Sequence, residues 1–193
     1  MQEFGLYFNI GREHIADLAG YDHILFVMAL CLRYLVKDWK RILILVTAFT
    51  IGHSVTLVLS VLDYVTVSSK WIEFLIPVTI MVTAAANVVQ RDQAKDSKAY
   101  IIYSLALFFG LIHGLGFSNY LKSLLGRDAN IVTELLAFNI GLEVGQLLIV
   151  AAVLLLSVIC IHLLKIHRRD YILFASGAVF GMALLMAIER FPN

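Results

Sequence analysis

The sequence predicts an all-α polytopic membrane protein: a single transmembrane domain, residues 1–193, with six transmembrane helices and both termini outside. Three observations predict this class. The 193 residues are 61% hydrophobic and only 15% charged, with a mean hydropathy of +0.87. Apolar stretches of about 20 residues match the thickness of a bilayer. Lysine and arginine are unevenly shared between alternate connections, as in multi-pass proteins.

Short polar segments divide the chain into six predicted spans. Four of these segments are 33–41, 90–98, 125–130 and 165–170, and DYVTVSSK at 63–70 separates the second span from the third. None of them is long enough to form a soluble domain, and the first dozen residues lack the pattern of a cleavable signal peptide. The spans are predicted at about 14–36, 41–63, 71–90, 99–122, 132–164 and 171–189.

The basic residues predict the orientation, because cytoplasmic loops retain lysine and arginine. Ten lie after spans 1, 3 and 5: Arg33, Lys37, Lys40, Arg41, Arg91, Lys95, Lys98, Lys165, Arg168 and Arg169. Five lie on the other side: Arg12, Lys70, Lys122, Arg127 and Arg190. The prediction is therefore a multi-pass protein of the cell inner (plasma) membrane, with both termini outside.

The first span begins with an unusual number of ionisable residues, in EHIADLAGYDHILFVMAL at 13–30. On a regular helix His14 and His23 would point to opposite sides. A bend at residues 19–20 would bring them together, with Asp22 beside His23. Asp17 belongs to the short outer segment before the bend, where it either supports the site or is simply solvated near the interface.

The second and fourth spans each contain one histidine deep in the membrane. In FTIGHSVTL and FGLIHGLGF, His53 and His113 lie about 13 and 14 residues from the cytoplasmic end, which is ~20 Å into a ~30 Å core. Ionisable residues at such depth are costly and usually functional. Thr50 and Ser54 either bond to helix carbonyls, orient His53 or add a ligand.

The fifth span places Asn139, Glu143 and Gln146 on one helical stripe, in FNIGLEVGQ. An interhelical hydrogen-bonding seam would explain Asn139 and Gln146. A carboxylate at this depth needs a cation, a proton or a metal ion. Glu143 is predicted at the level of the histidines, so four helices contribute to one layer in the outer half of the bilayer. Gly141 and Gly145 would let a neighbouring helix approach closely.

Imidazole nitrogens with carboxylate oxygens favour a divalent transition metal ion such as Zn²⁺, Ni²⁺, Co²⁺ or Cu²⁺. The layer has no thiolate, since Cys31 and Cys160 are predicted to pack as small apolar side chains. His162 and His167 are predicted only to mark the interface. The predicted metal ligands are His14, Asp22, His23, His53, His113 and Glu143, supported by Asp17, Thr50, Ser54, Asn139 and Gln146.

Two functions fit this layer. The first is a permease or facilitator that takes a divalent transition metal ion through the membrane. The second is an intramembrane zinc-dependent hydrolase, with Ser54 nearby and Glu143 or Asp22 as general base. A proton relay is also physically allowed. The expected partners are the metal ion and membrane lipid; a net charge of +1 argues against nucleic acid. The oligomeric state is left open, a homo-oligomer included.

Four motifs in order, GREHIADLAGYDHILF, FTIGHSVTL, FGLIHGLGF and FNIGLEVGQ, closely resemble the HupE/UreJ family of hydrogenase and urease accessory membrane proteins. They extend over roughly residues 11–150. The resemblance implies a nickel permease that serves nickel enzymes, with a His-x(n)-Asp-His motif at His14, Asp22 and His23. The seven-residue gap before Asp22 is longer than in the best-known nickel-linked members and indicates a divergent branch.

Overall fold

The computed structural model describes residues 2–89, 99–124 and 131–192, which form helices and turns with no strand among them. A 3-10 turn, Val36–Asp38, precedes α3, and a π-helical turn, Ile159–Leu163, extends α6. The helices are α1 Gln2–Ile15, α2 Asp22–Cys31, α3 Trp39–Val61, α4 Ser69–Val89, α5 Ala99–Leu124, α6 Ile131–Val158 and α7 Arg168–Glu189.

Five of these helices, α3 to α7, are long and apolar enough to cross a bilayer. Their bounds follow the last five predicted spans closely, because each span is a continuous apolar run between polar clusters. The all-helical class and the membrane character of the chain are therefore confirmed. Six spans and the placement of both termini outside stay predictions.

The predicted first span is not one continuous helix. α1 ends at Ile15 and α2 begins at Asp22. The intervening turn is stabilised locally, because Asp17 Oδ1 accepts a hydrogen bond from the backbone N–H of Ala19 at 2.8 Å, a short-range bond that competes with helix. α2 has only ten residues, about 15 Å at the helical rise, which is too short to cross a ~30 Å core alone.

Polar contacts define the two ends of the bundle. Arg190, after α7, contacts Asp22 at the start of α2, whereas Arg168, at the start of α7, donates to the carbonyl oxygen of Arg33 after α2. α2 and α7 are therefore antiparallel. We call these the Asp22 end and the Arg33 end; they correspond to the predicted outer and cytoplasmic sides. Four residues used to predict orientation lie outside the described residues: Arg91, Lys95, Lys98 and Arg127.

Two helix pairs pack with their backbones in direct contact. Between α3 and α5, a Cβ atom on Gly52, Gly110 or Gly114 would collide with a carbonyl oxygen of the other helix. Between α1 and α6, a Cβ atom on Gly11 or Gly141 would do the same. Small residues allow this close approach in membrane helices. The two close pairs hold the histidine-bearing helices α1, α3 and α5 in fixed positions.

The short helix α2 lies inside the bundle, in contact with α3, α4, α6 and α7. Phe26 and Ala29 of α2 are fully buried in the main core. Asn87 of α4 donates its side-chain N–H to the carbonyl oxygen of Ala29 at 2.7 Å. Cys31 is buried at the end of α2 and, like the half-buried Cys160, is free. This packing fixes the first turn of α2, which contains Asp22 and His23.

Candidate metal centre

Three histidines from three helices meet near the Asp22 end of the bundle. His14 is near the end of α1, His23 is in the first turn of α2, and His53 is in α3. Each offers one ring nitrogen, and these three nitrogens lie within 4.8 Å of one another. The ring centroids of His14 and His23 are 4.6 Å apart. The non-helical turn between α1 and α2 permits this approach, as the expected bend required.

His113 of α5 lies next to this group, with its ring centroid 5.3 Å from that of His23. Its Nδ1 atom is 2.8 Å from the carbonyl oxygen of Phe109. A carbonyl oxygen only accepts, so this contact places the proton on Nδ1 and leaves a lone pair on Nε2. His113 is fully buried, and its Nε2 is a fourth imidazole nitrogen beside the three.

Each of the four histidines has at least one buried ring nitrogen without a hydrogen-bond partner. The Nε2 atoms of His14, His23, His53 and His113 are buried without a partner, and so is Nδ1 of His53. Nearly all buried polar groups in proteins are hydrogen-bonded, and leaving one unpaired costs about 1–3 kcal/mol. Several such atoms in one small region indicate a place where a bound species completes the contacts.

Aromatic rings enclose the histidines. The ring of Phe117 is tilted by 34° against that of His14, with 3.7 Å between the centroids, and Phe138 lies 6.4 Å from His53 in a stacked arrangement. Apolar rings keep water from this part of the cluster and lower the local dielectric, which strengthens charge interactions there. Two further rings border His113, those of Phe26 and Phe49.

Asp22 contacts both His23 and Arg190. Its Oδ1 atom lies 3.0 Å from Nδ1 of His23 and accepts the backbone N–H of His23 at 2.8 Å. Its Oδ2 atom lies 3.2 Å from Nη1 of Arg190. A carboxylate on Nδ1 fixes the ring and leaves Nε2 free to bind a metal ion. Asp22 is thus outside the three-nitrogen group and next to it; its predicted role as a direct ligand stays a prediction.

The other predicted carboxylate, Glu143, lies in a polar seam between α3 and α6. The sequence analysis gave such an interhelical hydrogen-bonding seam as one explanation of Asn139 and Gln146. The seam lies outside the three-nitrogen group. The ligand role of Glu143 stays a prediction. Three hydroxyl groups of α3 donate to side-chain oxygens of α6: Thr47 to Glu143 at 3.0 Å, Thr50 to Gln146 at 2.7 Å and Ser54 to Asn139 at 2.7 Å.

A cleft of about 1130 Å³ opens beside the cluster at the Asp22 end. His14, His23 and His113 line it, whereas His53 lies behind them and is fully buried. Asp17 is an exposed residue of the cleft wall, which fits a solvated position near the entrance. An ion that enters from the cleft would meet His14 and His23 before it meets His53.

Two residues at the site were missed by the sequence analysis, Arg190 and Phe117. The signal for Arg190 was weak: it is one of only five basic residues on the predicted outer side. Phe117 gave no signal, because an aromatic residue in an apolar span is normally a packing residue. Only the three-dimensional packing of α1 and α5 shows that Phe117 meets His14.

Comparison with known proteins identifies the family. The model of the family described as HupE / UreJ protein matches residues 1–190, which extends the resemblance from the four motifs to nearly the whole chain, α7 included. Searches of curated proteins and of solved structures each gave no match. The four motifs supply His14, Asp22, His23, His53 and His113, which the structure gathers at one end of the bundle. The chain belongs to the HupE/UreJ family.

Proposed function

We propose that this protein is a permease or facilitator for a divalent transition metal ion, with nickel the first candidate, in the cell inner membrane. His14, His23 and His53 bind the ion in the outer half of the bilayer, and His113 supplies a fourth nitrogen. The observation that supports this most is the convergence of unpartnered imidazole nitrogens within 4.8 Å. The association of the HupE/UreJ family with nickel handling supports the choice of ion.

The spacing of the nitrogens suits an ion that enters and leaves. A zinc–nitrogen bond is about 2.1 Å, so two ligands of a tetrahedral ion lie about 3.4 Å apart. The three nitrogens lie within 4.8 Å of one another, so the imidazole rings, or the helices that carry them, close by up to about 1.4 Å when the ion binds. An ion that is bound by such a closure is released when the rings separate again.

The donor set also favours release. Structural zinc sites commonly use thiolates, whose charge offsets that of the ion. Here the converging atoms are imidazole nitrogens, and the adjacent negative charge is that of Asp22, which is shared with Arg190. Nitrogen donors select borderline ions such as Ni²⁺, Co²⁺ and Zn²⁺ over Mg²⁺ or Ca²⁺. The transported ion is therefore expected to be Ni²⁺, Co²⁺ or Zn²⁺.

The hydrolase alternative has no support. It requires Ser54 or a free carboxylate near an activated water. The Ser54 hydroxyl lies 2.7 Å from both the Thr50 carbonyl oxygen and Oδ1 of Asn139, so its single proton is already used within the seam. Glu143 accepts a hydrogen bond from the Thr47 hydroxyl in the seam. The carboxylate of Asp22 contacts His23 and Arg190. The contacts of these residues therefore favour the permease.

Uptake of Ni²⁺ into proteoliposomes tests the proposal. We expect the initial rate to fall at least about tenfold in His23→Ala and in His53→Ala, because each variant loses one of the imidazole donors that bind the ion. His167→Ala is the matched control, since His167 is exposed just before α7 at the Arg33 end. Wild-type uptake by both site variants, with unchanged elution and thermal unfolding, contradicts the proposal.

A further inference from the structure

Arg190 connects the end of α7 to the metal-binding residues. Its Nη1 atom lies 3.2 Å from Oδ2 of Asp22, while the other oxygen of Asp22 faces His23. The side chains of Arg190 and Asp22 are 30% and 13% exposed, so the pair is largely shielded from water. Both residues line the cleft through which an ion would reach the histidines.

This contact pairs the carboxylate beside the histidines with an opposite charge. With neutral imidazoles, Asp22 contributes one negative charge beside the cluster, and the Arg190 guanidinium compensates it. An arginine cannot lose its proton in a protein. When a divalent cation binds the histidines, Arg190 therefore becomes a like charge on the far side of Asp22, in a position that is largely shielded from water. The repulsion is proportional to the charge of the ion.

A second ion pair at the same end shows what a purely structural contact would look like. Lys122 lies 2.6 Å from Asp63, beyond the end of α3, and neither residue lines the cleft. Exposed pairs of this kind contribute little. Arg190 differs because its partner also holds the ring of His23. Its charge is therefore linked to the occupancy of the site.

We propose, on the basis of the proposed function, that Arg190 is a displaceable counter-charge: it neutralises Asp22 while the site is empty, and a bound divalent cation expels it into the cleft. Arg190 thereby lowers the affinity for the ion and favours its release. The displacement also frees the end of α7, so the occupancy of the site is transmitted to a helix that provides no imidazole to it.

Equilibrium dialysis of purified protein against Ni²⁺ measures the effect on affinity. We expect Arg190→Gln and Arg190→Met to bind Ni²⁺ about tenfold more tightly than the wild type, because the repulsion is lost. Arg190→Lys keeps the positive charge, so its affinity for Ni²⁺ should stay near that of the wild type. Lys122→Gln, the matched control, leaves the affinity unchanged. Affinity that is unchanged or weaker in both neutral variants, with unchanged thermal unfolding, overturns the proposal.

The charge of the ion separates electrostatics from structure. Since repulsion scales with charge, a tenfold gain for Ni²⁺ corresponds to a gain of about threefold for the monovalent Ag⁺, which also binds imidazole. Equal gains for the two ions would show that the substitutions act through packing, and would contradict the counter-charge.

Hydrogen exchange on the wild type tests the displacement without any variant. Saturating Ni²⁺ should accelerate amide exchange in the last turn of α7, where the N–H of Arg190 bonds to Met186, and leave the first turn of α7 unchanged. Slower or unchanged exchange in the last turn overturns the displacement. Wild-type protein that binds Ni²⁺ without transporting it contradicts the proposed function alone, whereas protein that binds none contradicts both.

Discussion

At the scale of single residues, the sequence predicted which histidines lie together, and it could not predict the contacts of the two carboxylates. The sequence identified all four histidines, because ionisable residues in apolar spans are costly. It also selected Asp22 and Glu143 as ligands. Their contacts depend on which way each side chain faces, and a non-helical turn and an interhelical seam decide that. Asp22 faces the Nδ1 side of His23, and Glu143 faces Thr47.

The position of Asp22 predicts how a substitution there would act. Asp22→Asn should weaken Ni²⁺ binding by about tenfold or more, because His23 loses a charged orienting partner and Arg190 loses its counter-ion. Equilibrium dialysis measures this directly. Asp17 is an exposed residue of the same cleft, and the Asp17→Asn variant should bind Ni²⁺ with the affinity of the wild type. Equal losses in the two variants would indicate a general effect of cleft charge and contradict the specific role of Asp22.

At the scale of helices, hydropathy located α3 to α7 because each is one long apolar run. It could not locate α1, because the polar residues of this helix lower its mean hydropathy. The helix nevertheless packs closely along α6. Hydropathy alone does not divide the predicted first span either. The ionisable residues predicted a bend at residues 19–20, where the N–H of Ala19 donates to Asp17 Oδ1 in the structure. Helix boundaries near a site are decided by such contacts.

The close approach of α3 and α5 predicts a position that tolerates no side chain. A Cβ atom on Gly110 would meet the carbonyl oxygen of Phe49, so Gly110→Ala should lower the stability by more than about 2 kcal/mol. Thermal unfolding in detergent checks this. The matched control is Gly177→Ala on α7, where a Cβ meets nothing within 4 Å; there we expect a gain of up to about 1 kcal/mol. Equal changes in the unfolding temperature of the two variants would contradict the close packing of α3 and α5.

At the scale of the whole molecule, sidedness is the property that the proposed route of the ion requires. Tyr64, 77% exposed, follows α3 near Asp63 and the Asp22 end, whereas the exposed Lys37 precedes α3 at the opposite end. In a Cys31→Ser/Cys160→Ser background, an impermeant maleimide should label Tyr64→Cys in intact cells and Lys37→Cys only after permeabilisation. The reverse pattern would place the cleft on the cytoplasmic side and contradict uptake from outside.

The turn between α1 and α2 gives the motif a spacer that can change in length. Each residue added to a helix rotates everything beyond it by about 100°, so two ligands on one helix require a fixed separation. His14 and Asp22 lie on either side of residues 16–21, which are not helical. A turn can absorb an insertion while both histidines keep their place in the bundle. The number of residues between His14 and Asp22 is thus not fixed by helical geometry.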